Sequence, residues 1–203
     1  MPGTAAKILN ALANATFTDW VTVVSGAVTI FVFLRAGFER FAWRWPGVRR
    51  LVSQPDLGGT WHGHLRPRAR NLHAGSALSS IEVTFIVHQT HGQISLTMTS
   101  AESRSVTVVA SLAQDAPGEW AVIAAYRSEP NLEVRENSPI HFGCFRLRVI
   151  NASTPRLAGH YWTDRATSGE IDVALLTRQP VNDFSSACQL AHARDPRGAN
   201  VET

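Results

Sequence analysis

Two tyrosines, a histidine, an arginine and several hydroxyls stand at the ends of segments that alternate apolar and polar residues. Together they can stack on, and hydrogen-bond to, a flat anion. In 119–128 the parity of Trp120, Val122 and Ala124 runs on to Tyr126 and Ser128. In 139–150 the parity of Phe145, Leu147 and Val149 runs back through Gly143 to His141, and in 156–165 Leu157 and Gly159 lead to Tyr161, Thr163 and Arg165. Successive side chains of a strand point to opposite faces, so each segment has an inward face that turns polar at one end. If neighbours run antiparallel, these polar ends meet at one end of the sheet. Aromatic rings stack on bases and a guanidinium fork grips phosphate through two parallel hydrogen bonds, so the group suits a nucleotide. For Arg165 alone a second reading is open, as a cap packed on Trp61 at the base of a barrel.

Other chemistries find less support. His62-x-His64 puts two imidazoles on one face of a strand, a spacing that zinc accepts. With Trp61 and Leu65 inward, however, both histidines face solvent, and no Cys, Asp or Glu cluster stands ready to complete a site, so no metal is expected. No Gly-x-Ser-x-Gly elbow and no paired carboxylates at a strand end are present, so no catalytic residue, cofactor or enzymatic activity is expected. Arg66-Pro67-Arg68-Ala69-Arg70 reads as a solvated loop between the first two strands.

The elements that must position the polar group are strands. Period-two alternation predicts them over 60–66, 80–89, 93–100, 103–113, 119–128, 139–150, 156–165 and 170–178, joined by short turn signals such as His91-Gly92 and Ala116-Pro117-Gly118. Ile81, Val83, Phe85 and Val87 share the dry face with Ile94, Leu96 and Met98, with Val106, Val108, Ala110 and Leu112, and with Ile171, Val173 and Leu175. Glu82, Thr84, Ser95, Thr97, Ser105, Thr107 and Asp172 take the wet one. The expected fold is all-β, an eight-stranded antiparallel up-and-down barrel, with a two-sheet sandwich as the alternative. The alternating exterior predicts no exposed apolar patch.

The 203 residues hold 19 basic and 16 acidic side chains, a net charge of +3, which is too modest for a binder of DNA or RNA polymers. Cys144 and Cys188 read as free thiols. One stretch, 20–34, is apolar and uncharged and reaches Phe38 if Arg35 snorkels; a helix over 20–38 spans about 28 Å, enough for the hydrocarbon core. Arg35, Arg40, Arg44, Arg49 and Arg50 follow it among Phe38, Phe41, Trp43 and Trp45, whereas Lys7, the only lysine, precedes it. That asymmetry predicts an uncleaved, single-pass anchor with the remainder in the cytoplasm. The organisation read from the sequence is an N-terminal segment 1–19, in which 4–16 could form an amphipathic helix, a span 20–38, a basic and aromatic segment 39–55, a barrel 56–180 and a tail 181–203.

Four runs carry a family likeness: Asp56-Leu57-Gly58-Gly59-Thr60-Trp61-His62-Gly63, Tyr126-Arg127-Ser128-Glu129-Pro130, Ile140-His141-Phe142-Gly143, and 157–169 (LAGHYWTDRATSG). With the preceding membrane segment, the ordered set resembles the transmembrane β-barrel effectors of bacterial cyclic-oligonucleotide anti-phage signalling, over about 20–178. The resemblance implies a lipocalin- or avidin-like barrel that binds a cyclic dinucleotide through Tyr126, Arg127, Glu129, His141, Tyr161, Thr163 and Arg165. It also implies lipid and other copies of the chain as partners, residence in the bacterial inner membrane, and membrane disruption that kills the infected cell. Where that family usually carries two spans, this sequence shows one. Two alternatives remain: a membrane-anchored, lipocalin-like carrier of a small apolar ligand, which would need a dry pocket, and a barrel that docks another membrane protein.

Overall fold

The computed structural model describes residues 3, 16–68 and 79–194. Two compact units divide the chain, Met1–Arg50 and Leu51–Thr203. The expectation of an amphipathic helix over 4–16 falls almost wholly outside the described residues.

In the first unit, helix α1 (Phe17–Arg40) contains the expected span and is long and apolar enough to cross a membrane. It starts at a capping box. The Thr16 side chain accepts from the Asp19 backbone N–H, and the Asp19 carboxylate accepts from the Thr16 N–H at 2.9 Å. The hydroxyls of Thr22 and Thr29 bond back to the carbonyls of Thr18 and Ser25 at 2.9 and 2.7 Å, so these polar atoms are satisfied within the helix. Arg35 and Glu39, one turn apart, pair at 2.8 Å. A 3-10 turn (Ala42–Arg44) and the short helix α2 (Pro46–Arg49) follow, and the Arg44 guanidinium lies 4.9 Å over the Trp43 ring.

The second unit is a closed antiparallel barrel in which eight strands pair in sequence order and β8 returns to β1. The strands are β1 (Gly59–Arg68), β2 (Ile81–Gln89), β3 (Ile94–Thr99), β4 (Ser103–Ala116), β5 (Glu119–Pro130), β6 (His141–Ile150), β7 (Arg156–Thr163) and β8 (Ser168–Thr177). This is the predicted barrel; the sandwich alternative is excluded by closure. Inward side chains from the strands form one core around Trp61, Phe85, Leu96, Val122, Phe145, Leu147, Leu157 and Val173. Phe85 and Phe145 meet edge to face with centroids 5.7 Å apart.

Strand β4 departs from the predicted alternation. Its register with β5 shifts between Thr107 and Val109, which leaves Val108 as an unpaired bulge residue. Side chains before the bulge therefore have opposite parity from that expected. Ser105 and Thr107 take the inward parity, opposite Ser128 and Tyr126, while Val106 and Val108 point out. Val108 and Val109 are 69% and 63% exposed, and with Val106 and Ile123 they form an apolar patch that the sequence reading did not foresee.

One end of the barrel is plugged. Leu57 is buried, its N–H donates to Gln89 Oε1 at 2.7 Å, and its carbonyl accepts from Trp61 Nε1 at 2.8 Å. Arg178, just past β8, donates to the carbonyls of Asp56 and Gly58 at 2.8 and 3.3 Å. Gly59 allows this closure: its φ is +133°, and an added Cβ would lie 2.9 Å from Arg178 Cα. Arg178 thus clasps the base, the role that the alternative reading gave to Arg165.

The expected tail, 181–203, contains helix α3 (Phe184–Arg194), which packs on β1 and β2. Asp183 starts it, accepting from the Ser186 N–H at 2.8 Å and from the hydroxyls of Ser185 and Ser186 at 2.6 and 2.7 Å. These bonds hold its carboxyl down at about 2. At the other end Arg194 donates to the Leu176 carbonyl, tying the last turn to β8.

Candidate functional site

The end opposite the plug gathers the polar residues, as strict antiparallel order demands. Register builds the site in two rows. Ser105 on β4 lies opposite Ser128 on β5, which lies opposite His141 on β6. One step deeper, Thr107, Tyr126, Gly143 and Thr163 follow one another across β4 to β7. Tyr161 stands deeper still, opposite Phe145 and Gly169. Both tyrosines of the chain, Tyr126 and Tyr161, are therefore directed into the same mouth.

Each tyrosine ring crosses a glycine on the neighbouring strand. A Cβ on Gly143 would overlap Tyr126 Cζ and Oη, and one on Gly169 would stand 2.6 Å from the Tyr161 ring. Tyr126 also stacks on Phe145, centroids 5.8 Å apart at 27°. Burial pushes both phenols above their ordinary range, and for Tyr126 the neighbouring Tyr161, Cys144 and Asp164 add to it, so both stay neutral donors.

Arg165 projects from the turn between β7 and β8. Thr163 and Thr167 close the turn by a backbone bond of 2.9 Å and a hydroxyl pair at 2.6 Å, and Ala166 takes φ +57°. A three-residue hairpin loop with a left-handed third residue has this form. Asp164 anchors it to β6 by accepting from the Phe142 N–H at 3.1 Å. The Arg165 guanidinium donates to Ser138 Oγ at 2.9 Å and lies 3.5 Å from His141 Nδ1. It thus sits at the mouth beside His141. The Pro139 carbonyl, 3.0 Å from His141 Nδ1, favours the proton on that nitrogen and leaves Nε2 as the acceptor.

Of the residues singled out from sequence, Tyr126, His141, Tyr161, Thr163 and Arg165 come together at this mouth. Arg127 and Glu129 have the opposite parity: they pair with each other on the outer face of β5, half exposed. Sequence reasoning missed Ser105. Its hydroxyl is buried, 2% exposed, and makes no hydrogen bond to the described residues, an uncompensated cost unless something enters the mouth to meet it. The consecutive Val108-Val109 breaks the alternation there, but it marks a bulge only once the register with β5 is known.

The outer face holds a second cluster. His62 and His64 do point outward as expected, but His62 is not in solvent, because α3 packs over this part of β1 and β2. His62 Nε2 lies 2.9 Å from Glu82 Oε1, and Cys188 of α3 completes a group whose donor atoms all lie within 4.8 Å of one another. His192, one turn further along α3, reaches Glu82 at 3.4 Å. The sequence expectation that no Cys or Glu stands ready beside His62 fails here, because the partners come from a strand and a helix far apart in the chain. Burial lowers the His62 basicity against the pull of Glu82, and burial with Glu82 raises the Cys188 thiol to about 11.

A closed barrel with a plugged base and an aromatic, hydroxyl-lined mouth is the architecture of a small-ligand receptor domain. The chain belongs to the family described as the Cap15 cyclic dinucleotide receptor domain, whose model matches residues 52–174, nearly the whole barrel. It is similar to CD-NTase-associated protein 15 of Staphylococcus schleiferi, 28% identical over 152 residues that cover 75% of this chain and 78% of that protein. CD-NTase-associated protein 15 of Yersinia aleksiciae is 27% identical over 149 residues, covering 71% of this chain and 66% of the relative. The family resemblance drawn from the sequence motifs is borne out.

Proposed function

We propose that this protein is a membrane-anchored receptor, and not an enzyme, whose barrel binds a cyclic dinucleotide at the open mouth and whose ligand-bound copies assemble through α1 to disrupt a bacterial inner membrane. The observation that carries the reading is the mouth itself, where two neutral tyrosines, a histidine, an arginine and a buried serine with no partner among the described residues converge on the domain that the family match covers. Tyr126 and Tyr161, buried beneath the rim, offer phenol donors at the floor of the mouth. Arg165, released from Ser138, offers a fork to a phosphate, and His141 offers Nε2. Ser105, Ser128 and Thr163 supply hydroxyls. Arg127 and Glu129 brace the rim from outside. The filled interior, with Trp61, Phe85, Leu147 and Leu157 fully buried, counts against a carrier of apolar ligands.

Anchoring rests on α1, with the arginines that follow it on the cytoplasmic side and the barrel in the cytoplasm. Calorimetric titration with cyclic dinucleotides tests the binding claim. Arg165→Ala should weaken binding by about 1.5–3 kcal/mol, the scale of a charged hydrogen bond, without loss of the barrel's circular dichroism. Equal affinity in wild type and variant would remove Arg165 from the site.

A further inference from the structure

We propose that His62, Glu82, Cys188 and His192 form a divalent-metal site, of zinc-binding character, that staples α3 to the outer wall of the barrel. The site is distinct from the mouth and independent of the ligand assigned to it.

Four observations support the proposal. The donors come from three elements that the fold brings together: His62 on β1, Glu82 on β2, and Cys188 and His192 on α3. His62 pairs in register with Thr84, so Glu82 lies diagonally beside it on the same outer face. Cys188 and His192 are spaced i, i+4 and share one face of α3, one turn apart. Finally, the donor set is sulfur, two imidazoles and one carboxylate, the mixture that borderline-soft zinc accepts in tetrahedral sites.

His62, Glu82 and Cys188 need only a small contraction, whereas His192 stands outside their group and must swing in on its exposed side chain. Tetrahedral bonds of about 2.0–2.3 Å set donor atoms roughly 3.3–3.8 Å apart. His62 to Glu82 is 2.9 Å, His192 to Glu82 is 3.4 Å, and the three-residue group spans at most 4.8 Å. The two imidazole rings stand edge to face with centroids 6.5 Å apart, and sharing one tetrahedral ion draws them to about 5 Å, a movement open to the largely exposed His192 side chain. On binding, the Cys188 S–H bond breaks, its proton leaves to solvent, and the sulfur lone pair forms the metal bond.

The test uses the full-length chain in detergent, stripped with a chelator and then titrated with Co²⁺ and Zn²⁺. The expected result is one Co²⁺ per chain with a sulfur-to-cobalt charge-transfer band in the near ultraviolet, displaced by Zn²⁺. Cys188→Ser should abolish the band, while Cys144→Ser and His64→Ala leave it intact. Zinc should raise the melting temperature of the wild type but not of Cys188→Ser. No saturable uptake, or a charge-transfer band that survives in Cys188→Ser, would overturn the proposal. So would a Cys188→Ser protein that is destabilised although the wild type binds no metal, since the cluster would then be a hydrogen-bonded contact only.

Discussion

Gly143→Ala tests whether the mouth depends on the tyrosine rings lying flat across their glycines. The new methyl would overlap Tyr126 Cζ and Oη and stand 2.9 Å from the Trp162 carbonyl oxygen. The carbonyl belongs to the β7 ladder and cannot retreat, so the ring must lift. Lifting it costs the stack on Phe145, about 0.5–1.5 kcal/mol, and the overpacking adds about 1–3 kcal/mol. A total of about 1.5–4.5 kcal/mol should appear in urea unfolding, with affinity for a cyclic dinucleotide falling in parallel. The double variant Gly143→Ala with Tyr126→Leu separates the effects: removing the ring relieves the overlap and should recover part of the stability, whereas binding should not return. Gly143→Ala with unchanged stability and unchanged affinity would refute the proposed position of Tyr126 in the site.

Three further outcomes are expected. Ser105→Ala removes a buried hydroxyl that has no partner among the described residues, so the unliganded barrel should be as stable or more stable, while cyclic dinucleotide affinity falls by about 0.5–1.5 kcal/mol; a loss of stability with intact binding would show the hydroxyl to be structural. Both tyrosine phenols are raised by burial, so above about pH 10 the unfolded chain releases protons that the folded barrel retains, and stability should fall with rising pH, less steeply in Tyr126→Phe; a pH-independent melting temperature between pH 9 and 11 would contradict this. At Gly26 a side chain meets nothing within 4 Å in the single chain, so Gly26→Leu should leave α1 and ligand binding intact while abolishing nucleotide-dependent depolarisation of bacterial membranes, and persistence of depolarisation would exclude close packing through this face.

Most of the barrel was legible because its code is local. Alternation, turn residues and the anti-parallel order of neighbours were enough to bring Tyr126, His141, Tyr161, Thr163 and Arg165 to one end. What escaped was not local. The bulge at Val108 changes the parity of half a strand, and two adjacent valines look like ordinary β-propensity until the register with β5 is known. Arg178 and Arg165 are equally plausible late arginines in sequence; only the plug formed by 55–58 distinguishes them, because its carbonyls face Arg178. Helix α3 carries little apolar periodicity, so the burial of Ala187 and the meeting of Cys188 with His62 and Glu82 depend on packing that no short window of sequence encodes.

Titration of the full chain in detergent with cyclic dinucleotides, set against their linear counterparts and a fatty acid, bears most directly on the receptor assignment. Saturable binding of a cyclic dinucleotide, weakened by Arg165→Ala and by Ser105→Ala and preserved in Gly26→Leu, is the predicted result. Binding of the fatty acid but of no cyclic dinucleotide, or cyclic dinucleotide binding indifferent to both mouth substitutions, would contradict the account.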